Sequence, residues 1–374
     1  MIQRQLYQNL ATQLFQGKAI IIAGARQVGK TTLIKQLIKE TGKDVLFLDG
    51  DDPTVRQLLD QPNTEQLRLI IGSAQIVFID EAQRIPQIGI TAKIITDQFP
   101  DRQLVLSGSS AFELNDSVQE SLTGRKFTHT LFPISWKEWV DHVGYVKARQ
   151  DLENRLVYGF YPDVVSNSEN SQTILQELAD SYLYKDVLNY AGIRKPEVIH
   201  KLVQALAYQL GQEVVYRELG ELIGLDPKTV SHYMDVLEKA FVIFRLPAFS
   251  KNLRNEIKKN QKVYFYDNGI RNTVINSLSP VATRNDIGAL WENFLISERL
   301  KQLRYGNDRR GSFFWRTKQQ QEIDYVELAD ESVSGYEFKW NPNKRVRFPK
   351  TFKDTYQAKT QLVNQHNFQS FVVL

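Results

Sequence analysis

Eight consecutive residues, Gly24-Ala25-Arg26-Gln27-Val28-Gly29-Lys30-Thr31, fit the spacing G-x-x-x-x-G-K-[ST] without a mismatch. The chemistry that needs this pattern is the holding of a polyphosphate. Glycines let the backbone turn its N–H groups inward on phosphate oxygens. Lys30 adds positive charge at the β- and γ-phosphates, and the hydroxyl of Thr31 is placed to ligate Mg2+, with Thr32 following in the same cradle. ATP and Mg2+ are the expected cofactors. A second stretch, Ile76-Val-Phe-Ile-Asp80-Glu81, is apolar and ends in two acids. Ligands gather at the carboxyl ends of parallel strands, so Asp80 is expected beside the metal and Glu81 at the attacking water. Ser107-Gly-Ser-Ser110 brings small hydroxyls toward the γ-phosphate.

A separate constellation lies near the C-terminus: Glu292, Asp324, Glu337 and Lys339. Glu337 and Lys339 are two apart on an expected strand, so both point to one face. With Asp324 on the adjacent strand, two carboxylates share a hard cation, Mg2+ or Mn2+, whose waters complete its shell. Lys339 then positions water or stabilises developing phosphate charge. Glu292, from a helix, tethers the lysine or the metal's water shell.

These residues need elements to carry them. The apolar run from Ile20 leads through the loop into a helix, Thr31–Glu40, whose positive end faces the anion. Further strands are expected at Val45–Leu48, Gln103–Leu106 and Lys126–Leu131, and strand–helix alternation implies a parallel sheet. After Pro133 that rhythm stops. Ser135 to Asn189 read as helices anchored by Trp136, Trp139, Tyr158 and Tyr161, with a Gly159-Phe-Tyr-Pro162 turn, and carry no evident chemistry. Helices at Val198–Leu210, Tyr216–Ile223 and Pro227–Ala240, with Gly224 in the turn, read as helix-turn-helix, and Phe241–Leu246 as a wing. Lys228, Thr229, Ser231 and His232 face outward at the start of its second helix, where base or phosphate contacts are made. Lys251, Arg254, Lys258, Lys259 and Lys262 form a basic run suited to a phosphate backbone. The C-terminal order is helix Gly288–Tyr305, strands Ser312–Arg316, Glu322–Leu328 and Gly335–Trp340, helix Phe352–Asn364 and strand Phe368–Leu374.

The whole composition sets bounds. At 374 residues, two or three domains are expected. A hydrophobic share of 42% and a charged share of 24% are those of a folded globular chain. The formal charge of +4 is mild, so nucleic-acid contacts must come from local clusters. The absence of cysteine excludes disulfides, zinc–thiolate sites and thiol nucleophiles. No signal-peptide pattern and no apolar stretch of about 18–20 residues appears, which points to a cytoplasmic protein without a membrane partner.

The N-terminal motifs resemble those of the AAA+ ATPases. The resemblance implies that Ser107 or Ser109 serves as sensor 1 and that Arg125, in Leu122-Thr-Gly-Arg125, serves as an arginine finger in a homo-oligomer. The C-terminal order resembles the PD-(D/E)xK nuclease superfamily, with Ile323 replacing the proline. Tyr264-Phe-Tyr-Asp267-Asn-Gly269 and Gly288-Ala-Leu-Trp-Glu292-Asn extend a resemblance over nearly the whole chain to prokaryotic ATPases carrying domain of unknown function 4143. It implies a multidomain α/β fold: an AAA+-like P-loop core over 1–134, a helical lid over 135–194, a winged-helix module with its basic segment over 195–284, and a restriction-endonuclease-like domain over 285–374. The expected function is that of a Mg2+-dependent ATPase acting with or on DNA. Alternatives are an ATP-gated, metal-dependent DNA nuclease and a nucleotide-switched interaction protein whose last domain is an inactive scaffold.

Overall fold

The computed structural model describes residues 1–109, 121–181, 196–250 and 261–373. Ser110, residues 182–194 of the expected lid, Lys251, Arg254, Lys258 and Lys259 of the basic run, and Leu374 lie outside them. The chain divides into two compact units, Met1–Pro133 with Lys239–Phe241, and Ile134–Glu238 with Val242–Leu374. Among the described residues, no helix is long and apolar enough to cross a membrane.

The first unit is built on a five-stranded parallel sheet in the order β2-β3-β4-β1-β5. Its strands are β1 (Ala19–Ala23), β2 (Val45–Asp49), β3 (Ile76–Asp80), β4 (Gln103–Gly108) and β5 (Lys126–Thr130). The run Ala-Ile-Ile-Ile-Ala of β1 is buried at every position and pairs in parallel with both β4 and β5. Continuous apolar β-branched runs are what a sheet covered on both faces demands. The Ile88–Gln98 helix adds Ile88, Ala92 and Ile95 to the core against Ile21, Val77 and Leu106. The Lys30–Thr41 helix stops at Gly42, whose φ of 63° is a left-handed cap open to glycine.

The second unit centres on the Ile287–Tyr305 helix, which is buried nearly all round. Its interior charges are paired. Arg299 grips Glu327 through two hydrogen bonds of 2.6 and 2.9 Å, and Lys301 donates to Glu298 at 2.6 Å. Glu298 also accepts the backbone N–H of Trp136 at 2.6 Å, and burial raises its pKa. Around this helix stand a three-stranded sheet, β6-β8-β7, and a four-stranded sheet, β12-β11-β10-β9. These strands are β6 (Glu213–Val214), β7 (Ile243–Pro247), β8 (Gln261–Phe265), β9 (Gly311–Arg316), β10 (Glu322–Ala329), β11 (Ser332–Phe338) and β12 (Lys359–Val363).

The segments 264–269 and 288–293 are joints. Asp267 accepts N–H groups from Gly269 at 2.8 Å, Ile270 at 3.2 Å and Phe160 at 2.7 Å. Asn293 clasps the backbone of Phe265, accepting at 2.8 Å and donating at 3.0 Å. Gly159, at a φ of 72°, leaves room for the Asp267 carboxylate, with which any Cβ there collides. Gly159→Ala should therefore destabilise the chain by about 3 kcal/mol in urea unfolding, from backbone strain and a displaced buried carboxylate. A change below about 0.5 kcal/mol would show that this joint carries no strain.

The last segments differ from expectation in their boundaries. The helix expected over Phe352–Asn364 is a short one, Lys350–Tyr356, followed by β12. Gln357 takes a left-handed φ of 49° and ends it, and Lys359–Val363 then pairs in parallel with β11. The expected terminal strand is instead a turn of helix, Gln369–Val372. Phe368, Phe371 and Val372 are spaced to bury on one side of such a turn, and all three are buried.

Candidate functional site

At the carboxyl edge of the first sheet, strand order brings distant residues together. β4 lies between β1 and β3, so Ser107 stands beside Ile22 in register and next to the strand that ends in Asp80. Thr31 Oγ1 donates to Asp80 Oδ2 at 2.7 Å, and Ser107 Oγ donates to Asp80 Oδ1. Lys30 is buried and donates to the carbonyls of Gly24 at 2.9 Å and Ala25 at 2.8 Å. Gly29 is the N-cap of the Lys30–Thr41 helix, has a φ of 93° and supplies no side-chain cap. The first-turn N–H groups thus face the loop's mouth with no capping side chain from Gly29. Gln27 is also left-handed, at φ 60°. Val28 is buried, Arg26 half-buried, and Gln27 and Thr32 exposed. A Cβ at Gly24 collides with the Leu131 carbonyl, so glycine is required there.

Two residues outside the expected set brace this site. Arg4 donates to the carbonyl of Val28 at 2.7 Å and to that of Phe132, pinning the loop from behind. Gln83 Nε2 donates both to Glu81 and to Ser109 Oγ, the latter at 3.0 Å, linking the second acid to β4. Glu81 itself holds a φ of 46°, a conformation costly for a residue with a Cβ. Gln83, three residues past Asp80, was the available signal.

Arg125 is placed elsewhere. It precedes Lys126, which pairs with Ala19 at the start of β1, whereas the loop begins after Ala23 at that strand's far end. Its guanidinium is 2.9 Å from Asp97 and half-exposed. Arg125 thus cannot reach its own chain's loop.

In the second unit, helices Tyr216–Ile223 and Pro227–Lys239 flank a turn at Gly224, and β7 pairs antiparallel with β8. Lys228 and His232 are exposed, Ser231 and Thr229 half-buried. Thr229 gives both its amide (3.0 Å) and its hydroxyl (2.5 Å) to Asp226, so it acts as part of the helix cap. Lys262, expected in the basic run, is not a surface residue. Its side chain is 3% exposed and its ammonium is turned into the C-terminal cleft.

That cleft has a volume of about 700 Å3 and is lined by Lys262, Glu292, Glu322, Asp324, Glu337, Arg347 and Lys350, among others. Asp324 lies on β10 where its pairing with β9 slips between Ile323 and Val326. Such irregularities re-aim side chains. Asp324 accepts the N–H of Phe338 at 2.8 Å, which sets it beside Glu337 on β11. Lys339 lies one residue past β11, still bonded by its amide to Val363, and its ammonium is 3.1 Å from Glu337 and 3.5 Å from Asp324. So three of the four expected residues converge. The fourth, Glu292, enters the cleft but binds other partners. It accepts from Tyr264 Oη at 2.6 Å and lies 3.4 Å from Lys262, not on Lys339.

Burial, then Asp324, raises the Glu337 pKa to about 7. Burial likewise raises that of Glu292. Burial pulls Lys262 down, but Glu292 and Glu322 outweigh it and its pKa ends raised. Among the described residues, no three His, Asp or Glu side chains come together to hold a metal ion by themselves. Two carboxylates with waters still suffice for Mg2+, so the Asp324–Glu337 pair fits a cation in its donor chemistry. A cation needs Glu337 ionised. Its affinity should therefore fall as pH drops below about 7, approaching tenfold per unit, and level off above. Mn2+ titrations at several pH values check this; a flat profile from pH 6 to 8 would contradict it.

Residues 16–140 match the AAA domain. The first unit thus has an AAA-type, P-loop ATPase-like α/β fold. Residues 287–372 match domain of unknown function 4143, and residues 149–280 match domain of unknown function 8612, which spans most of the expected lid and the helix-turn-helix. The chain is 28% identical over 344 residues to an uncharacterized protein of Mycobacterium tuberculosis, covering 90% of this chain and 74% of that one. It is 27% identical over 300 residues to an uncharacterized protein of Haemophilus influenzae, covering 74% of each. Among solved structures, it is similar to the ORC1 protein of Aeropyrum pernix in complex with DNA (12% identity, TM-score 0.34, 73% of this chain and 91% of that one). It is also similar to the RuvB Holliday junction branch migration motor of Thermotoga maritima (15% identity, TM-score 0.35, 66% and 90%). At these scores the likeness carries no functional weight.

Proposed function

We propose that the chain is a Mg2+-dependent ATPase that acts with or on DNA in the cytoplasm. One observation carries the ATPase: Thr31, Asp80 and Ser107, from a helix start and two strand ends, meet in one hydrogen-bonded group beneath the loop that holds Lys30. A hydroxyl and a carboxylate 2.7 Å apart are the donor set Mg2+ takes beside a nucleotide. Thr31 and Asp80 would hold Mg2+, which would supply neutralising charge at the phosphates. Lys30 exchanges two loop carbonyls for phosphate oxygens. Glu81, aligned by Gln83, orients the attacking water, and Ser107 stands at the neighbouring strand end.

DNA contact is supported by the helix-turn-helix order, its following antiparallel strands, and exposed Lys228 and His232 at the second helix. A winged helix is our reading of that module. The ATPase reading is tested by Mg2+-dependent ATP turnover of the full chain, and its absence under all conditions would sink it.

A second reading, ATP-gated DNA cleavage, is favoured by the cleft, where Asp324, Glu337 and Lys339 converge in the manner of a PD-(D/E)xK site. Asp324 and Glu337 would hold the cation, which polarises a phosphodiester when bound. Lys339 offers its ammonium to water or to developing phosphate charge. Metal-dependent nicking of plasmid DNA that is lost in Lys339→Ala tests it. Intact plasmid with the unaltered chain leaves the cleft a scaffold.

Because Arg125 lies at the far end of β1 from its own loop, its role as an arginine finger requires a neighbouring subunit. Arg125→Ala should bind ATP normally and hydrolyse it about a thousandfold more slowly. Mixing it with Lys30→Ala should restore part of the activity, since one chain supplies the arginine and the other the pocket. No rescue at any ratio assigns Arg125 to its Asp97 ion pair alone.

A further inference from the structure

Two ammonium groups divide the carboxylates of the cleft into pairs. Lys262 stands 2.6 Å from Glu322 and 3.4 Å from Glu292. Lys339 stands 3.1 Å from Glu337 and 3.5 Å from Asp324. Each ammonium thus stands between two carboxylates, the place a divalent cation would take.

The two lysines are not equivalent. Lys339 follows the end of β11 and its side chain is 26% exposed, so it can swing toward water and yield its place. Lys262 is 3% exposed, sits on β8 between two other strands, and lies 5.5 Å from the centre of the Phe314 ring. Moving it would strand Glu292, whose other close contact is the Tyr264 hydroxyl, in a buried position. Leaving a buried carboxylate without its counter-charge is costly.

We propose that Lys262 is a built-in substitute for a cation at the Glu292–Glu322 pair, so that the cleft takes a single divalent cation, at Asp324 and Glu337, and excludes a second. This rests on the reading of Asp324 and Glu337 as cation ligands. Here the Glu292–Glu322 pair is filled by a side chain that comes from outside the 287–372 segment. The site is therefore composite. Its charge balance is set by β8, and its cation count by one lysine.

The test is Mn2+ stoichiometry by electron paramagnetic resonance on the full chain, without nucleotide and with Asp80→Asn to silence the phosphate loop. Chains with Lys262, or with Lys262→Arg, are expected to bind one ion. Lys262→Met is expected to bind two, the second replacing the lost ammonium. If Lys262→Met is unfolded in metal-free buffer, Mn2+ is expected to restore its thermal transition. Two ions in the Lys262 chain overturn the proposal. So does one ion of unchanged affinity in folded Lys262→Met, or an unfolded Lys262→Met that Mn2+ does not rescue while Lys262→Arg is folded. These results leave Asp324 and Glu337 as ligands. No ion in the Lys262 chain removes that reading and this proposal with it.

Discussion

Glu81→Gln is expected to bind ATP as tightly as the unaltered chain and to hydrolyse it at least about a hundredfold more slowly, the usual worth of a positioned general base. Glu81 meets the Lys30–Thr31–Asp80 group through its backbone N–H, which donates to Asp80 at 3.2 Å, while its carboxylate is turned to Gln83. It is held at the end of β3 in a left-handed conformation, with Gln83 as its hydrogen-bond partner. On the proposed reading its carboxylate acts on the attacking water and not on the bound phosphates. Lys30→Ala should behave oppositely. Lys30 already sits among the loop carbonyls that frame the anion site, so removing it takes away binding itself. Fluorescent-nucleotide titration separates the two, with turnover measured beside it. Equal loss of binding in both variants removes Glu81 from its role.

Asp324→Asn and Glu337→Gln, singly or together, should each reduce Mn2+ affinity at the C-terminal cleft by at least about tenfold, with little further loss in the double variant. Two carboxylates that share one cation act as a unit. Lys339→Ala should differ in sign. Its ammonium is the group that now balances both carboxylates, so its removal lets cation affinity hold or rise while phosphodiester cleavage falls. Calorimetry on the full chain is the measurement. Residues 285–374 are not a self-sufficient piece, because Trp136 and Phe160 pack on Phe294 at ring distances of 6.0 and 6.1 Å and Lys262 enters the cleft from β8. Independent, additive losses for Asp324 and Glu337 would contradict a shared cation.

How far these sites were legible depended on how local their chemistry is. The phosphate loop is eight contiguous residues whose spacing alone states the geometry, and Asp80 and Ser107 end apolar runs that can only be strands. The C-terminal pairing of Asp324 with Glu337 was legible only through the order of elements. Lys262 closes a basic run that looks like a solvated strip, which hides its place in the cleft. A period-2 reading of Lys262-Val-Tyr264 would have placed both on one face, and both do meet Glu292. Arg4 was not legible at all, since its bonds run to backbone carbonyls 24 and 128 residues away. The end of the Lys350–Tyr356 helix was lost because no glycine or proline marks it; Gln357 supplies the left-handed turn.

The most direct test of the account is the ATP turnover of the full chain in Mg2+, with and without duplex DNA, at two salt concentrations. The account predicts turnover that needs Mg2+, vanishes in Lys30→Ala, and rises severalfold with DNA at low salt, the rise fading as salt screens phosphate contacts. Turnover that is indifferent to DNA at every salt concentration would contradict action on DNA, and no turnover at all would contradict the ATPase.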